Sequence, residues 1–185
     1  MTGFHTCALP IWITVDRPPP VTRIVEVLAP LRTLAGLAAG TVHEAPEALR
    51  AELLPGLESG RLIGAVAFAH VRRPGPPNPV ATRVPGGWRL DGTLDWVTSW
   101  DVADVVMVMA QGAGADAGRL ICAYLRGGAV TGSTPGVQPG PPLELLAMSG
   151  THTRPVALAS VEIPDHRIGA VIDRQAELRT SRGQA

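Results

Sequence analysis

Residues 86–111, GGWRLDGTLDWVTSWDVADVVMVMAQ, constrain the fold more than any other stretch of the chain. Asp91-Gly92 stands between two short runs, 87–91 and 93–97, whose residues suit extended backbone. An Asp-Gly pair between such runs predicts a hairpin turn, because both residues tolerate positive φ. Pro85-Gly86 marks a second turn, between runs 80–84 and 87–91. Residues 104–110 then form a nearly unbroken β-branched and methionine run, the pattern of a strand covered on both faces.

The periodicity on either side of Arg61 differs. Before it, Val21, Ile24, Val25, Leu28, Leu31, Leu34 and Ala38 recur at three- and four-residue steps. This predicts a helix over 21–39, kinked or broken near Pro30 and stopped at Gly40. A second helix is expected over 46–54, with Pro46 in a first helical position, Glu47 in the first turn and Pro55-Gly56 as the stop. After Arg61 strands are expected at 62–70, 80–84, 87–91, 93–97, 104–110, 119–125, 143–148 and 155–163. Flexible loops are expected at 112–118 and 127–142. The fold class is therefore α+β: a short N-terminal helical remnant, then an antiparallel β-barrel or sandwich of about seven to eight strands.

Composition removes several function classes. Sixteen basic residues, all Arg, balance sixteen acidic ones, so no net field favours nucleic acid or an anionic membrane. Hydrophobic residues make up 45% of the 185, enough for a packed core. The two cysteines, Cys7 and Cys122, form no CxxC or Cys/His cluster, which argues against a zinc site and a disulfide scaffold. No apolar run reaches the roughly 20 residues of a membrane span. The start lacks the basic segment of a secretory signal, and a cytoplasmic protein is the default expectation. Within it, TCALPI resembles the translation of a sequencing-adapter oligonucleotide, so residues 1–11 are expected to be a non-native scar. Gly112-x-Gly114 is not a dinucleotide fingerprint, since a third Gly and a following helix are missing.

Three segments, in order, resemble the acyl-CoA dehydrogenase family. ALRAELLPGLESGRLIGAVAFAH, residues 48–70, resembles the family's last N-terminal helix, its Leu-Pro-x-Leu-x-x-Gly turn and the first strand of the middle β-domain. In residues 86–111, Gly87, Trp88, Leu90, Asp91, Gly92, Trp96, Val97, Thr98 and Ala103-Asp104 fall on the family's Gly-x-Tyr-x-Leu-Asn-Gly-x-Lys-x-Trp-Ile-Thr pattern and the Ala-Asp beyond it. TRPVALASVEIPDHRI, residues 153–168, resembles the closing Thr-Arg, strand and Val-x-Val-Pro. The resemblance covers residues 45–170. It implies a division into a helical remnant (12–60), a middle β-domain (61–172) and a frayed or truncated tail (173–185).

The resemblance also implies a function: the β-domain wall of the flavin and acyl-CoA site in an FAD-dependent oxidoreductase that dehydrogenates acyl-CoA thioesters. Phe68, Ala69, Trp96, Val97 and Thr98 are then the FAD-binding candidates. Trp96 would pack on the flavin, Thr98 would hydrogen-bond its edge, and the backbone at Phe68 and Ala69 would reach the pyrimidine side. His70, Arg72 and Arg154 are candidates on the acyl-CoA side. No catalytic residue is assigned, since the family's base lies in a C-terminal helical domain that this stretch lacks. A fragment of this kind is expected to be inactive alone. The intact protein would meet an electron acceptor and form a homo-oligomer. Trp88 and Trp100 are read as packing residues. The departures are Ala69 where the family keeps a Thr, Arg72 to Pro77 where it keeps a Gly-Ser-Asp loop, and Leu94 where it keeps a Lys. They motivate the rival reading, a non-catalytic β-barrel module that binds a ligand or partner.

Overall fold

The computed structural model describes residues 42–43, 45–72, 79–129, 134–145 and 149–175. The expected scar at 1–11, the helix at 21–39, the Arg73 to Pro77 loop and most of the tail lie outside them. Among the described residues, helix α1 (Glu47–Glu58) precedes eight strands. These are β1 (Gly64–Ala67), β2 (Val80–Val84), β3 (Gly87–Val97), β4 (Val105–Gly112), β5 (Arg119–Arg126), β6 (Val137–Pro139), β7 (Arg154–Pro164) and β8 (Ile168–Asp173). They form one sheet in the order β6-β7-β3-β2-β4-β5-β8, with β1 also paired to β4. All pairs are antiparallel except β1 and β2 with β4.

The sheet curls, because strands from distant places in that order share a single core. Trp88, Leu90, Leu94 and Val97 of β3 meet Val106 and Val108 of β4, Ile121 of β5, Val156 and Val161 of β7 and Ile168 of β8. A second core lies on the outer face, under α1. Leu49, Leu53 and Leu57, one helical turn apart, cover Val105 and Met107 of β4 and Cys122 and Tyr124 of β5. β4 is thus buried on both faces, as its composition predicts, with alternate residues serving the two cores. Each fully buried leucine of the helix contributes about 1.5–3 kcal/mol relative to an exposed one.

Four expectations need correction. α1 continues through Pro55 to Glu58 rather than stopping at residue 54. Pro55 cannot donate to the helix ladder, but Ser59 N–H and Oγ both donate to its carbonyl, and buried Leu57 holds the last turn against the sheet. The strand expected at 62–70 is confined to Gly64–Ala67, since Val71 N–H donates to the Phe68 carbonyl and winds Ala69–Arg72 into a 3-10 turn. Residues 143–145 are not a strand, and 146–148 lie outside the described residues. A short strand, β6, instead stands within the expected 127–142 loop. It is a sheet edge, where Pro139 is tolerated because its missing donor costs no outer ladder bond.

The fourth correction concerns Asp91-Gly92, which is not a turn. The β2–β3 hairpin turns at Pro85-Gly86, with Gly86 at φ 78° and Val84 paired to Gly87. β3 then runs unbroken through Asp91 and Gly92 to Val97. Opposite them β7 carries an extra residue: Leu90 pairs Val161 and Gly92 pairs Leu158, so Asp91 faces both Ala159 and Ser160. This is a β-bulge. Ser160 sits at φ 53°, and its N–H donates to Asp91 Oδ1 at 2.7 Å. The short acidic side chain serves as a bulge clamp.

Replacing Asp91 with Ala removes the acceptor while leaving Ser160 strained. The expected loss is about 1 kcal/mol of unfolding free energy, measured by urea titration. An unchanged midpoint would show that Asp91 does not hold the bulge.

Candidate functional site

A second bulge, at Asp95-Trp96, lies toward the far end of β3. Leu94 pairs Val156 and Val97 pairs Arg154, so Asp95 and Trp96 together face Pro155. Pro155 has no N–H to donate, and the ladder slips at that point. The slip changes which face Trp96 occupies. Strict alternation from Leu90 and Leu94 would send residue 96 into the core. With one extra residue on β3, Val97 enters the core instead, fully buried, and Trp96 is left 48% exposed. Trp88 and Trp100 are both buried, in keeping with packing roles.

Beyond β3 the chain turns sharply. Ser99 takes φ 66°, and Trp100–Val102 form a 3-10 turn. The 149–153 segment is fastened against this corner: Ser99 N–H donates to Thr151 O at 2.8 Å and Trp100 N–H to His152 O at 3.1 Å. His152 itself takes φ 51°. Thr98 is half-buried, and its Oγ1 accepts from Thr153 Oγ1 at 3.5 Å. The other end of the candidate set, Phe68 to Arg72, follows β1, and both β1 and the 3-10 turn lie beside β3. β2 pairs β3 only as far as Asp91, and both β1 and the 3-10 turn that follows it contact β3. The 68–72 segment and the strand that carries Trp96 and Val97 are thus neighbours in the fold.

The individual side chains differ in what they offer. Phe68 packs into the core beneath α1, with its carbonyl engaged by Val71 N–H. Ala69 and Arg72 lie in the 3-10 turn. His70 Nε2 stands 2.5 Å from Met109 O, in the gap on the β4 edge between the pairing with β1, which stops at Val108, and the pairing with β2, which starts at Gln111. Arg154 Nε donates to Asp101 Oδ1 at 2.6 Å, and its Nη1 donates to Gly140 O at 2.8 Å. It is a tie joining β7, the 100–102 turn and the segment after β6. Its partner Asp101, the buried Thr153 and Thr151 were missed as members of this corner. Nothing in their local spacing marks them, since the contacts span 53 residues or more between Arg154 and Asp101 and between Thr153 and Thr98. Among the described residues no group of three His, Cys, Asp or Glu could hold a metal ion.

Two outcomes are expected. In a Trp12→Phe background, iodide should quench one tryptophan strongly, and Trp96→Phe should abolish that component; quenching that survives the substitution would place the exposed indole elsewhere. The Arg154–Asp101 pair is 25% and 31% exposed, between the surface and buried limits. Arg154→Ala is therefore expected to lower stability by about 1–2 kcal/mol in chemical denaturation. A neutral result would free Arg154 for a ligand role.

No family model matches the sequence, and no curated protein does. Solved structures match the fold well. Glutaryl-CoA dehydrogenase from Mycobacterium smegmatis aligns with TM-score 0.67 at 24% identity, over 86% of this chain and 42% of that one. Butyryl-CoA dehydrogenase from Megasphaera elsdenii aligns with TM-score 0.65 at 18% identity, over 85% and 44%. The FAD complex of PigA aligns with TM-score 0.67 at 17% identity, over 86% and 41%. The chain thus spans about two-fifths of the length of these structures. Its fold is that of the acyl-CoA dehydrogenases over that portion, and the part of them it resembles is the middle β-domain.

Proposed function

We propose that this chain supplies the β-domain wall of a flavin and acyl-CoA site, as part of an FAD-dependent oxidoreductase acting on acyl-CoA thioesters. The observation that carries the reading is Trp96: a large aromatic side chain turned out of the core by a bulge, on a fold shared with structures that include an FAD complex. A flat, exposed indole offers a stacking surface at low entropic cost, with two side-chain angles to fix. Thr98, two residues on, offers a hydroxyl on the same margin. These two residues fit a flavin ring best; Phe68 and Ala69 offer backbone, Val97 offers backbone only, and His70, Arg72 and Arg154 would act on the acyl-CoA side. A bound flavin would supply the hydride-accepting chemistry, while the protein would position the ring and shield it. The catalytic base, the electron acceptor and a homo-oligomeric partner belong to the same proposal for a longer protein.

The rival is a non-catalytic β-module that binds a ligand or partner. It is favoured by the internal bonds of His70 and Arg154, which engage two of the three side chains assigned to substrate.

Titration of the purified chain with FAD separates the two. The proposal expects quenching of both the exposed indole and the flavin, saturable and lost in Trp96→Ala, with no acyl-CoA-dependent dye reduction by this chain alone. Absence of any flavin response at tens of micromolar FAD would overturn it in favour of the module.

A further inference from the structure

We infer that Thr153 is a positioning residue for the flavin-edge contact of Thr98; this rests on the functional reading above and names a residue that it did not use. Three threonine hydroxyls form a chain at the corner beside Trp96. Thr151 Oγ1 and Thr153 Oγ1 are 2.7 Å apart, and Thr153 Oγ1 donates to Thr98 Oγ1 at 3.5 Å. Each hydroxyl has a single proton to give. With Thr153 donating to Thr98, donation by Thr151 in the first link completes a chain from Thr151 through Thr153 to Thr98. The consequence falls on the last member. Thr98 accepts from Thr153, so its own proton is left for a different acceptor, which in this proposal is the flavin edge. Donation along such a chain polarises each hydroxyl and strengthens the next bond.

The burial gradient agrees with that direction. Thr153 is only 4% exposed, whereas Thr98 and Thr151 are half-buried. Water competes least for the middle hydroxyl, so its proton has the fewest alternative acceptors. The backbone around the chain is held in a costly shape. Ser99 and His152, on the two facing segments, are both non-glycine residues in the left-handed region, at φ 66° and 51°. Such conformations persist where the surroundings over-determine them, and they gather at ligand sites. Here the surroundings are the two backbone bonds between the segments and the Arg154–Asp101 pair. Together they hold the corner in which Thr153 Oγ1 stands 3.5 Å from Thr98 Oγ1, a long hydroxyl contact. The ligand chemistry that suits the result is a flat heteroaromatic ring with a nitrogen or carbonyl acceptor at its edge, stacked on the Trp96 indole.

The test is a double-mutant cycle read by FAD binding, with no turnover required. FAD affinity and the absorption maximum of the bound flavin are measured for the wild type, Thr98→Val, Thr153→Val, Thr153→Ser and the Thr98→Val/Thr153→Val pair. Thr153→Val is expected to weaken FAD binding about fivefold and to shift the flavin maximum in the same sense as Thr98→Val. Thr153→Ser, which keeps the hydroxyl, should restore both. In the Thr98→Val background the second substitution should change neither. Additive losses in the pair, or wild-type affinity and spectrum in Thr153→Val, would overturn the inference while leaving the functional reading intact. No response in the wild type would overturn both. Should Thr153→Val fail to fold, Thr151→Val replaces it in the cycle, with the same expected coupling to Thr98 and the same overturning result.

Discussion

The pairing of β3 with β7 carries the structure, because each of these strands is eleven residues long and each contributes to the inner core along its whole length. Two strands of that length cannot remain flat and regular while the sheet curls. The pair resolves the conflict with two bulges of opposite sense. The first adds a residue to β7 at Ala159-Ser160, and the second adds one to β3 at Asp95-Trp96. Inward-facing residues on β7 are therefore Val156 and Leu158, then Val161 and Ile163; on β3 they are Trp88, Leu90 and Leu94, then Val97. Each strand changes face parity once, and the second slip restores the register that the first displaced.

The outer face answers a different constraint. β4 and β5 present apolar residues on both sides, and the outer ones would be exposed without a cover. α1 supplies it with three leucines at four-residue spacing. Arg167, just before β8, reaches Glu52 of the helix and ties the cover to the sheet at its edge. The glycines at 127 and 128 allow the chain after β5 to pass close to the 100–103 turn: a Cβ at Gly127 would come within 2.1 Å of the Ala103 carbonyl oxygen. The helix-covered face and the curled face are thus joined at β4, the strand whose alternation serves both.

Much of this was legible in the sequence because it depends on local pattern. The two-sided apolar run of β4, the Pro85-Gly86 turn, the packing roles of Trp88 and Trp100, and the helix-then-strands order all follow from short-range periodicity. Asp91-Gly92 shows where such reading fails. The dipeptide does carry a backbone irregularity, with Gly92 at φ 132°, but it serves a bulge, and only the partner strand reveals that. A trace was present: VALASVEI in β7 loses its strict alternation at Ala159-Ser160, and LDWV in β3 does so at Asp95-Trp96. A slip in a two-residue period is a bulge signal, while a turn signal would have ended the apolar pattern altogether. Thr153 and Asp101 left no such trace, since their partners lie tens of residues away.

The exposed tryptophan is the feature that packing does not explain. A tryptophan buries 150–250 Å² when enclosed, so leaving about half of one in water forgoes about 2 kcal/mol of hydrophobic stabilisation. The chain encloses Trp88 and Trp100 fully, and Val97 occupies the core position that Trp96 would take without the bulge. Pro155, by withholding its N–H, makes the regular alternative poorer as well. Three things then coincide at one margin of the sheet: a forgone burial, a ladder position with no donor and two left-handed residues in the adjoining corner. Each costs stability, and together they leave the Trp96 indole about half exposed, two residues before the half-buried Thr98. Packing accounts for none of that arrangement; the flat ligand with a polar edge proposed above would use both groups.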